Sequence, residues 1–314
     1  MAESIDDLMN ESLTALLERG ERIEPSRGPA RELRGVRLEL TNPRVRLSRS
    51  HRRGKPFSCL GELVWYLAGS GDLSHIEFYV PKYADEAEPD GSIHAAYGTR
   101  LFAEDRRAQA AIDTLKCKQD SRQAVIPLLD AADLVRGTGH VPCTSTLQFF
   151  LREGIVDLIV SMRSNDAYLG VPHDVFAFTM LQEIVARSVG AELGTYVHFA
   201  GSLHLYDEHD DSARHFLAEG HPLPTPMPPM PPGDPWAEIA RLVAAEQDVR
   251  HGQPLDVSAF DNPYWADLAR LLALFALSKD QRVDDIARLR EEVQSLDVYG
   301  VFLKDRFGVE GPPP

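Results

Sequence analysis

The stretch VPCTSTLQFFLREGIVDLIVSMRSNDAYLGVPHDVFAFTMLQEIVARSVGAELGTYVHFAGSLHLY, residues 141–206, decides the fold of this chain. Cys143 stands just before a strand pattern, and an Arg-Ser-Asn-Asp corner follows at 163–166. A Leu-Gly-Val-Pro-His-Asp turn at 169–174 then opens a long apolar helix, and a second strand ends in His-Leu-Tyr at 204–206. We therefore expect a thiol, an arginine and several hydrogen-bonding groups at the ends of adjacent elements, a setting that can bind a small anion and attack it covalently.

The bulk properties are those of an ordinary globular protein of 314 residues, large enough for one domain or for one domain with an appendage. A net charge of −15 argues against DNA or general nucleic-acid binding, because no overall positive field attracts phosphate. We expect no membrane partner, since no apolar run reaches the length of a span and the acidic N-terminus lacks the basic start of a signal peptide. Three cysteines without scaffold-like spacing favour the reducing cytoplasm.

The N-terminal region is predicted to form a helix over residues 3–19 and a strand over 36–40. Residues 27–55 hold ten Arg or Lys but two acids, in a chain that is otherwise acidic. Two interpretations stay open for this cluster. Most of its arginines can face water at an edge, or one or two of them, with Arg27 best placed beside Gly28, can reach a phosphate.

The segment before the central stretch alternates helices, a loop and a strand. Helical periodicity covers residues 59–69, where Glu62 is the one acid, and its pattern alone favours a surface position for that side chain. Residues 85–98 are rich in Asp, Pro and Gly and predict a loop. A helix is expected over 104–118 and a strand over 124–129.

The composition changes after residue 221. Residues 222–235 read PLPTPMPPMPPGDP, which predicts an extended linker between a domain at 1–221 and a helical extension at 236–314. No chemical cluster stands out in the extension, which favours a role in packing or dimerisation. Its helical patterns cover residues 235–250, 262–277 and 283–307.

Cys143, taken by itself, is a small buried residue or a nucleophile. Arg163 on the next strand is expected to stabilise a thiolate and lower the thiol pKa. His140, His198 and His204 are candidate bases, although none stands in a recognised spacing. The chain has neither a CxxC nor an HExxH motif, so we expect no metal site.

Several pieces of the sequence, in order and with matching spacing, resemble one enzyme family. Residues 59–215 are similar to the folate-dependent thymidylate synthases and their pyrimidine-nucleotide hydroxymethylase relatives. The resemblance implies an α/β (α+β) fold, a mixed sheet with flanking helices, here followed by a helical C-terminal extension that departs from the family. It also implies a homodimer formed through the sheet faces. The pieces are GELVWYLAG at 61–69, AYGTR at 96–100, Ser-Arg at 121–122, PC…QF at 142–149, RSND at 163–166, LGVP at 169–172 and HLY at 204–206.

The resemblance implies a role for each matching residue. Cys143 would be the nucleophile that adds to C6 of a pyrimidine nucleoside monophosphate, and Glu62 would be the catalytic acid that acts through water. Forked guanidinium groups suit the 5′-phosphate. The residues implied for that phosphate are Arg27, Arg163, Ser164 and, donated by the other subunit, Arg122.

The remaining roles concern the sugar and the cofactor, which would be 5,10-methylenetetrahydrofolate. Asp166 would contact the reduced pterin, and Gly170 would let backbone approach it. The other residues implied are Leu169 and His173 on the cofactor side, Tyr97 and Gln148 lining the site, and His204 and Tyr206 at the ribose hydroxyl.

Departures from the family pattern bear on the substrate. Thymidylate synthases carry Asn where this chain has Asp174, and a carboxylate accepts from the 4-amino group of cytosine while a protonated one donates to N3. Ala177 replaces a common serine and leaves room for a 2′-hydroxyl, which favours CMP over dCMP. A tryptophan that shields the methylene in the synthases is absent near Val80, which favours water capture. Thr144 and Gln123 replace a histidine and a phosphate-binding arginine.

We therefore expect a folate-dependent CMP or dCMP 5-hydroxymethylase, with catalytic residues Cys143, Glu62 and Asp174. One alternative is a thymidylate synthase or deoxyuridylate hydroxymethylase, against which Asp174 argues. The other is a non-catalytic nucleotide- or RNA-binding protein that contacts its ligand through residues 27–55. A nucleophile would be of no use to such a protein.

Overall fold

One mixed sheet forms the centre of the computed structural model, which describes residues 1–103, 106–135 and 140–308. Within these ranges six strands lie in the order β1-β2-β6-β5-β4-β3, and all neighbours are antiparallel except the parallel pair β5 and β6. The strands are β1 Glu21–Ile23, β2 Ala30–Leu40, β3 Val125–Pro127, β4 Thr144–Arg152, β5 Ile155–Asp166 and β6 Glu192–Tyr206.

Helices cover one face of the sheet and extend beyond it. Short 3₁₀ helices lie at Pro81–Glu86, Asp207–His209 and Val257–Ala259. The α-helices are α1 Ile5–Arg19, α2 Pro56–Leu67, α3 Leu73–Glu77, α4 Tyr97–Phe102, α5 Arg107–Cys117, α6 Ala131–Val135, α7 Gly170–Ser188, α8 Asp210–Glu219, α9 Trp236–Arg250, α10 Pro263–Lys279, α11 Val283–Glu291 and α12 Leu296–Phe307.

A tight hairpin joins β4 to β5. Its two turn residues, Glu153 and Gly154, both have positive φ, as the favoured two-residue hairpin turn requires. Leu147, Phe149 and Leu151 alternate with more exposed residues along β4 and face the helices. The hairpin therefore fixes which face of β4 is buried.

Helix α7 makes the crossover from β5 to its parallel neighbour β6. Parallel pairing sets Asp166 opposite His204 and Ser164 opposite Ser202, so both strands end at the same edge of the sheet. The chain just before β4 reaches this edge as well, since Arg163 N–H donates to the Cys143 carbonyl at 2.8 Å. The groups that the sequence placed at strand ends are thus neighbours.

Most of the predicted elements are confirmed, with shifts at their ends. The helix expected over 104–118 begins at Arg107, because Arg106 has left-handed backbone angles (φ +44°) and lies before the first helical residue. Residues 104 and 105 lie outside the described ranges. The loop expected over 85–98 ends in helix α4, which begins at Tyr97. The single helix expected over 283–307 is wrong. Asp267 of α10 accepts the N–H groups of Gln294 and Ser295, which ends one helix and starts the next.

The basic segment 27–55 is not simply a solvated edge. Arg34 and Arg37 are exposed on β2, but Arg46 is 1% exposed and pairs with buried Glu183 of α7. Arg53 is also buried. The interpretation of this cluster as water-facing is therefore wrong for Arg46 and Arg53.

The proline-rich stretch 222–235 forms neither helix nor strand and lies against the rest of the chain. Met227 and Met230 are buried in it. The backbone N–H of Met227 donates to the Arg44 carbonyl, and that of Met230 donates to Glu183. The domain boundaries themselves stay a prediction. Across the described ranges, no helix combines the length and apolar character that crossing a membrane would require.

Gly61 allows close packing of α2 against Tyr79, and we expect Gly61→Ala to be destabilising. An added Cβ would overlap the Tyr79 ring, so the free energy of unfolding should fall by about 1–3 kcal/mol. The matched control is Gly300→Ala in α12, whose Cβ meets nothing closer than 3.9 Å. That change should be neutral or stabilising by up to about 1 kcal/mol. Urea unfolding of both variants measures the difference, and equal effects would contradict the packing argument.

Candidate active site

The thiol of Cys143 lies beside Arg163 at the edge where β5 and β6 end. Arg163 Nη2 is 3.7 Å from the Cys143 sulfur, and the same guanidinium donates to the carbonyls of Pro142 and Val141. These bonds hold the guanidinium rigidly against the segment that carries the thiol. A cation fixed at this distance favours the thiolate form.

The expectation of a lowered thiol pKa is nevertheless wrong for the free protein. Burial raises the pKa of the Cys143 thiol, and Arg163 offsets this only in part. Within the described part of the chain the hydrogen-bonding partner of the thiol is Arg163, not one of the candidate histidines. His198 is fully buried beside Tyr196, and burial lowers its pKa to about 4.

Glu62 is buried, 6% exposed, and the surface position favoured by its sequence pattern is wrong. Three donors surround its carboxylate. Tyr66 O–H donates to Oε1 at 2.9 Å and Tyr83 O–H to the same oxygen at 2.5 Å. His173 Nδ1 lies 2.6 Å from Oε2. The donors come from α2, from the 3₁₀ helix Pro81–Glu86 and from α7.

His173 and Glu62 form a buried ion pair. Burial lowers the pKa of His173, but Cys59 and Glu62 outweigh it and raise that pKa to about 10. Burial likewise raises the pKa of Glu62, while His173 and the two tyrosine hydroxyls outweigh it and hold the pKa below its ordinary value. Glu62 is therefore an ionised acceptor at neutral pH.

Asp174, the residue after His173 on α7, has a raised pKa, in contrast to the lowered pKa of Glu62. Burial and then the negative charge of Glu62 raise its pKa to about 7. Among the residues that the structure describes, its hydrogen-bonding partner is Asn165, whose Nδ2 donates to Oδ2 at 2.7 Å. Two neighbouring carboxyl groups with separated pKa values allow one to accept protons while the other donates them.

A second group of side chains surrounds Cys143 on the side of β6. Arg27 lies close enough to Tyr206 and Cys143 for electrostatic interaction with both, and it forms an ion pair with Glu86 at 2.7 Å. The ring of His204 contacts that of Tyr206 at 4.9 Å between centroids. Arg27 and Arg163 thus place two guanidinium groups near the thiol, which suits a phosphate.

The turn before α7 offers a carboxylate and a cation. Asp166 Oδ1 accepts the N–H groups of Tyr168 and Leu169. Arg53 lies 5.1 Å from the Tyr168 ring centre and donates to the Leu169 carbonyl. Its Nε is buried and has no hydrogen-bonding partner among the described residues. An orphaned buried donor is costly, so this corner fits a polar ligand that supplies an acceptor.

A family profile described as "Thymidylate synthase" matches residues 35–230. The chain belongs to the thymidylate synthase family. A relative named "Deoxyuridylate hydroxymethyltransferase", from Delftia phage PhiW-14, is 31% identical over 212 residues, which are 63% of this chain. The match spans 59% of that relative's length.

Some of the expected site residues of this thymidylate synthase-family chain lie apart from the group around Cys143. Gln148 donates to the Arg122 carbonyl, on the opposite face of β4 from Leu147 and Phe149, and Arg122 is exposed there. Ala177 is 1% exposed, so a sugar would reach it only if it became uncovered. Tyr97 does lie close, since its hydroxyl accepts the N–H of Thr144 next to the thiol.

Four site residues were missed from the sequence. Tyr66 stands four residues after Glu62 on α2, and this helical spacing was a usable signal. Asn165, Tyr83 and Arg53 carried no such signal, because their partners lie on other elements. Cys143, Arg163, Glu62 and Asp174 were all identified, although their roles stay predictions.

We expect His173→Phe to lower the free energy of unfolding by about 3–5 kcal/mol at pH 7, because it leaves the Glu62 carboxylate buried without its cation. Replacing both partners, as His173→Phe with Glu62→Gln, should cost less than the sum of the single changes. Urea unfolding of the four proteins measures this coupling, and additive losses would contradict the ion pair.

The coupling should also depend on pH. The raised pKa of His173 contributes stability that is fully present below 6.5, its ordinary pKa, and is lost as the pH rises to about 10. The lowered pKa of Glu62 contributes stability that is present above 4.5 and is lost as the pH falls. The coupling should therefore decline when the same unfolding experiment is carried from pH 7 to pH 10.

Proposed function

We propose that this protein transfers a one-carbon unit from 5,10-methylenetetrahydrofolate to C5 of a cytidine monophosphate, CMP ahead of dCMP, and that water completes a hydroxymethyl group. The observation that carries the proposal is the pair of carboxyl groups near Cys143. Glu62 is held ionised, while Asp174 has a pKa of about 7. A cytosine ring needs both a proton donor at N3 and an acceptor at its amino group, and one protonated carboxyl supplies both.

The nucleophile in this proposal is the Cys143 thiolate. Its sulfur bonds to C6 of the ring, and the electron pair of the C5–C6 double bond moves to C5, which becomes the attacking carbon. Arg163, 3.7 Å from the sulfur, stabilises the thiolate that this step consumes. Burial disfavours that thiolate before substrate binds, which limits side reactions of the free thiol.

Asp174 reads the base in this scheme. Its protonated oxygen donates to N3, and its other oxygen accepts from the 4-amino group. Asn165 fixes the carboxyl by donating to Oδ2 at 2.7 Å. Because Asn165 donates to Oδ2, that bond favours the proton on Oδ1. A uracil ring carries a proton at N3 and an oxygen at C4, so it would need the proton on the other oxygen.

The resemblance implies that Glu62 is a catalytic acid, but three donors hold its carboxylate ionised. An ionised carboxylate has no proton to give, so in this proposal Glu62 acts as the base for water. Tyr83 stands three residues after Val80, in the region where no shielding tryptophan occurs. A hydroxyl there keeps the surroundings of Glu62 polar, which supports water as the final reactant.

The folate would be held at the turn before α7. Asp166 offers a carboxylate to the donor groups of a reduced pterin, and Arg53 offers the buried unpartnered Nε. Gly170 keeps the approach open beside Asn165 and Asp174. When bound, methylenetetrahydrofolate supplies the one-carbon unit and leaves as tetrahydrofolate.

A homodimer completes the proposal. The face of the sheet away from the helices exposes apolar side chains, among them Val125, Ile155 and Phe199 at about 40% exposure each. Arg122 and Gln148 lie on the same side. A second copy on this face would cover the apolar surface and allow Arg122 to reach the partner's phosphate site.

Deoxyuridylate hydroxymethylation is the second candidate, favoured by the name of the phage relative. Both candidates make a hydroxymethyl product and differ in the base. A pure nucleotide-binding role is less well supported, because binding needs neither Cys143 nor the ionised Glu62.

The test is to incubate the protein with methylenetetrahydrofolate and CMP, dCMP, dUMP or UMP, and to determine product masses. We expect hydroxymethylcytidine monophosphate, and Cys143→Ala should abolish turnover while leaving nucleotide affinity within about threefold. Methylated uridylate would overturn the hydroxymethylase proposal. Binding without any product would support the binding protein instead.

Base recognition by Asp174 makes a separate prediction. Because the donor form is lost as the pH rises through about 7, CMP affinity should fall by up to about tenfold for each further pH unit. Asp174→Asn should remove this dependence and shift preference towards uracil nucleotides. The matched control is Asp157→Asn, whose carboxylate accepts the Thr195 N–H near the start of β5. Calorimetric titration at several pH values measures the affinities, and an unchanged cytosine-to-uracil ratio would exclude Asp174 as the reader.

A further inference from the structure

The family profile ends at residue 230, before helices α9 to α12 begin. Two of these helices, α9 and α10, nevertheless contact the segment that supplies Tyr83 to Glu62. We infer that α9 and α10 position the Glu62 carboxylate, by clamping residues 73–86 against helix α2. Glu246 and Phe275 are the positioning residues of this clamp.

Glu246 of α9 holds the 73–86 segment through a buried carboxylate, 1% exposed. Tyr79 O–H donates to its Oε1 at 3.0 Å, and His75 Nε2 lies 3.1 Å from Oε2. Arg250, one turn along α9, donates to Oε1 at 2.8 Å. A charge buried this deeply is stable only with such partners, so the segment and α9 are fixed to each other.

Phe275 of α10 packs against the same tyrosine, which in turn packs against helix α2. Its ring stacks on that of Tyr79, with 5.0 Å between centroids and 29° between planes. The Tyr79 ring also packs on Gly61, where any larger residue would overlap it. Gly61 is the residue next to Glu62, so α10, Tyr79 and α2 form one stack at that point.

Tyr83 links the 73–86 segment to the Glu62 carboxylate. Backbone hydrogen bonds run from Tyr79 and Val80 to Ile76, and from Tyr83 to Val80, so the turn moves as one unit. Tyr83 O–H reaches Glu62 at 2.5 Å, and its ring contacts Trp65 at 5.3 Å between centroids. Loosening the clamp should therefore withdraw one donor from Glu62 and change the surroundings of Trp65.

The experiment uses the full chain labelled with 5-fluorotryptophan, which gives a fluorine resonance for each of its three tryptophans. Trp65→Phe assigns the one that reports on Tyr83. We expect Glu246→Gln to shift the Trp65 resonance and to leave Trp236 unshifted, since Trp236 lies at the other end of α9 and donates to Ser188, not to the 73–86 segment. If Glu246→Gln shifts the Trp236 resonance as well, the Trp65 resonance of Tyr79→Phe becomes the deciding measurement. That variant removes just the hydroxyl that donates to Glu246.

The matched control is Asp267→Asn. Asp267 is also a buried carboxylate of the extension, 1% exposed, and pairs with an arginine one turn away. Its other partners are the N–H groups of Gln294 and Ser295, at the start of α12, not the 73–86 segment. Asp267→Asn should leave the Trp65 resonance in place. An unshifted Trp65 resonance in Tyr79→Phe, or the same shift in Asp267→Asn, would overturn the inference.

Kinetics give the second readout, which rests on the proposed function. Glu246→Gln should lower kcat about tenfold with KM within twofold, and should move the acidic limb of the kcat profile to higher pH as Glu62 loses a donor. Asp267→Asn should leave both within twofold. If the unaltered protein turns over no nucleotide, the proposed function fails, while the fluorine spectra still judge the clamp.

Discussion

The buried charge of Glu62 is the constraint on which the site depends. A carboxylate inside an apolar helix is unfavourable by several kcal/mol unless donors surround it. Its donors come from three separate segments, with Tyr66 on α2, Tyr83 on the 3₁₀ helix and His173 on α7. These segments must therefore meet at one point, and their meeting fixes the position of the Glu62 carboxylate. If these three segments separated, the Glu62 carboxylate would stay buried without its hydrogen-bond donors.

The same charge sets the chemistry of its neighbour. Asp174 titrates near 7 because it is buried and because Glu62 is negative beside it. His173 keeps Glu62 ionised, so it also acts on Asp174 indirectly. In the proposed reaction, base recognition by Asp174 and water activation by Glu62 would therefore be linked through electrostatics, and a change at His173 would alter both.

The sequence predicts the local elements well, because periodicity reports which face of a helix or strand is buried. It also predicts the edge that carries Cys143 and Arg163, because an α7 crossover brings parallel strand ends together. Burial of Glu62 was not predictable from its helix, since its partners lie on other segments. The break between α11 and α12 depends likewise on Asp267, which is distant in sequence.

The helical extension, residues 236–314, has no chemical motif in its sequence, so the sequence pattern does not predict its contacts near the candidate site. Its sequence favoured a role in packing, and it does pack: Phe275 stacks on Phe57 of α2, and Arg49 donates to the Val298 carbonyl of α12. Packing at this place also affects the position of the Glu62 carboxylate, because Phe57 and Glu62 both belong to α2. A rigid acceptor for a proton requires a rigid helix, and a rigid helix requires covered faces. Substitutions in the extension can therefore change reactivity at Glu62 while every residue that touches the ligand stays the same.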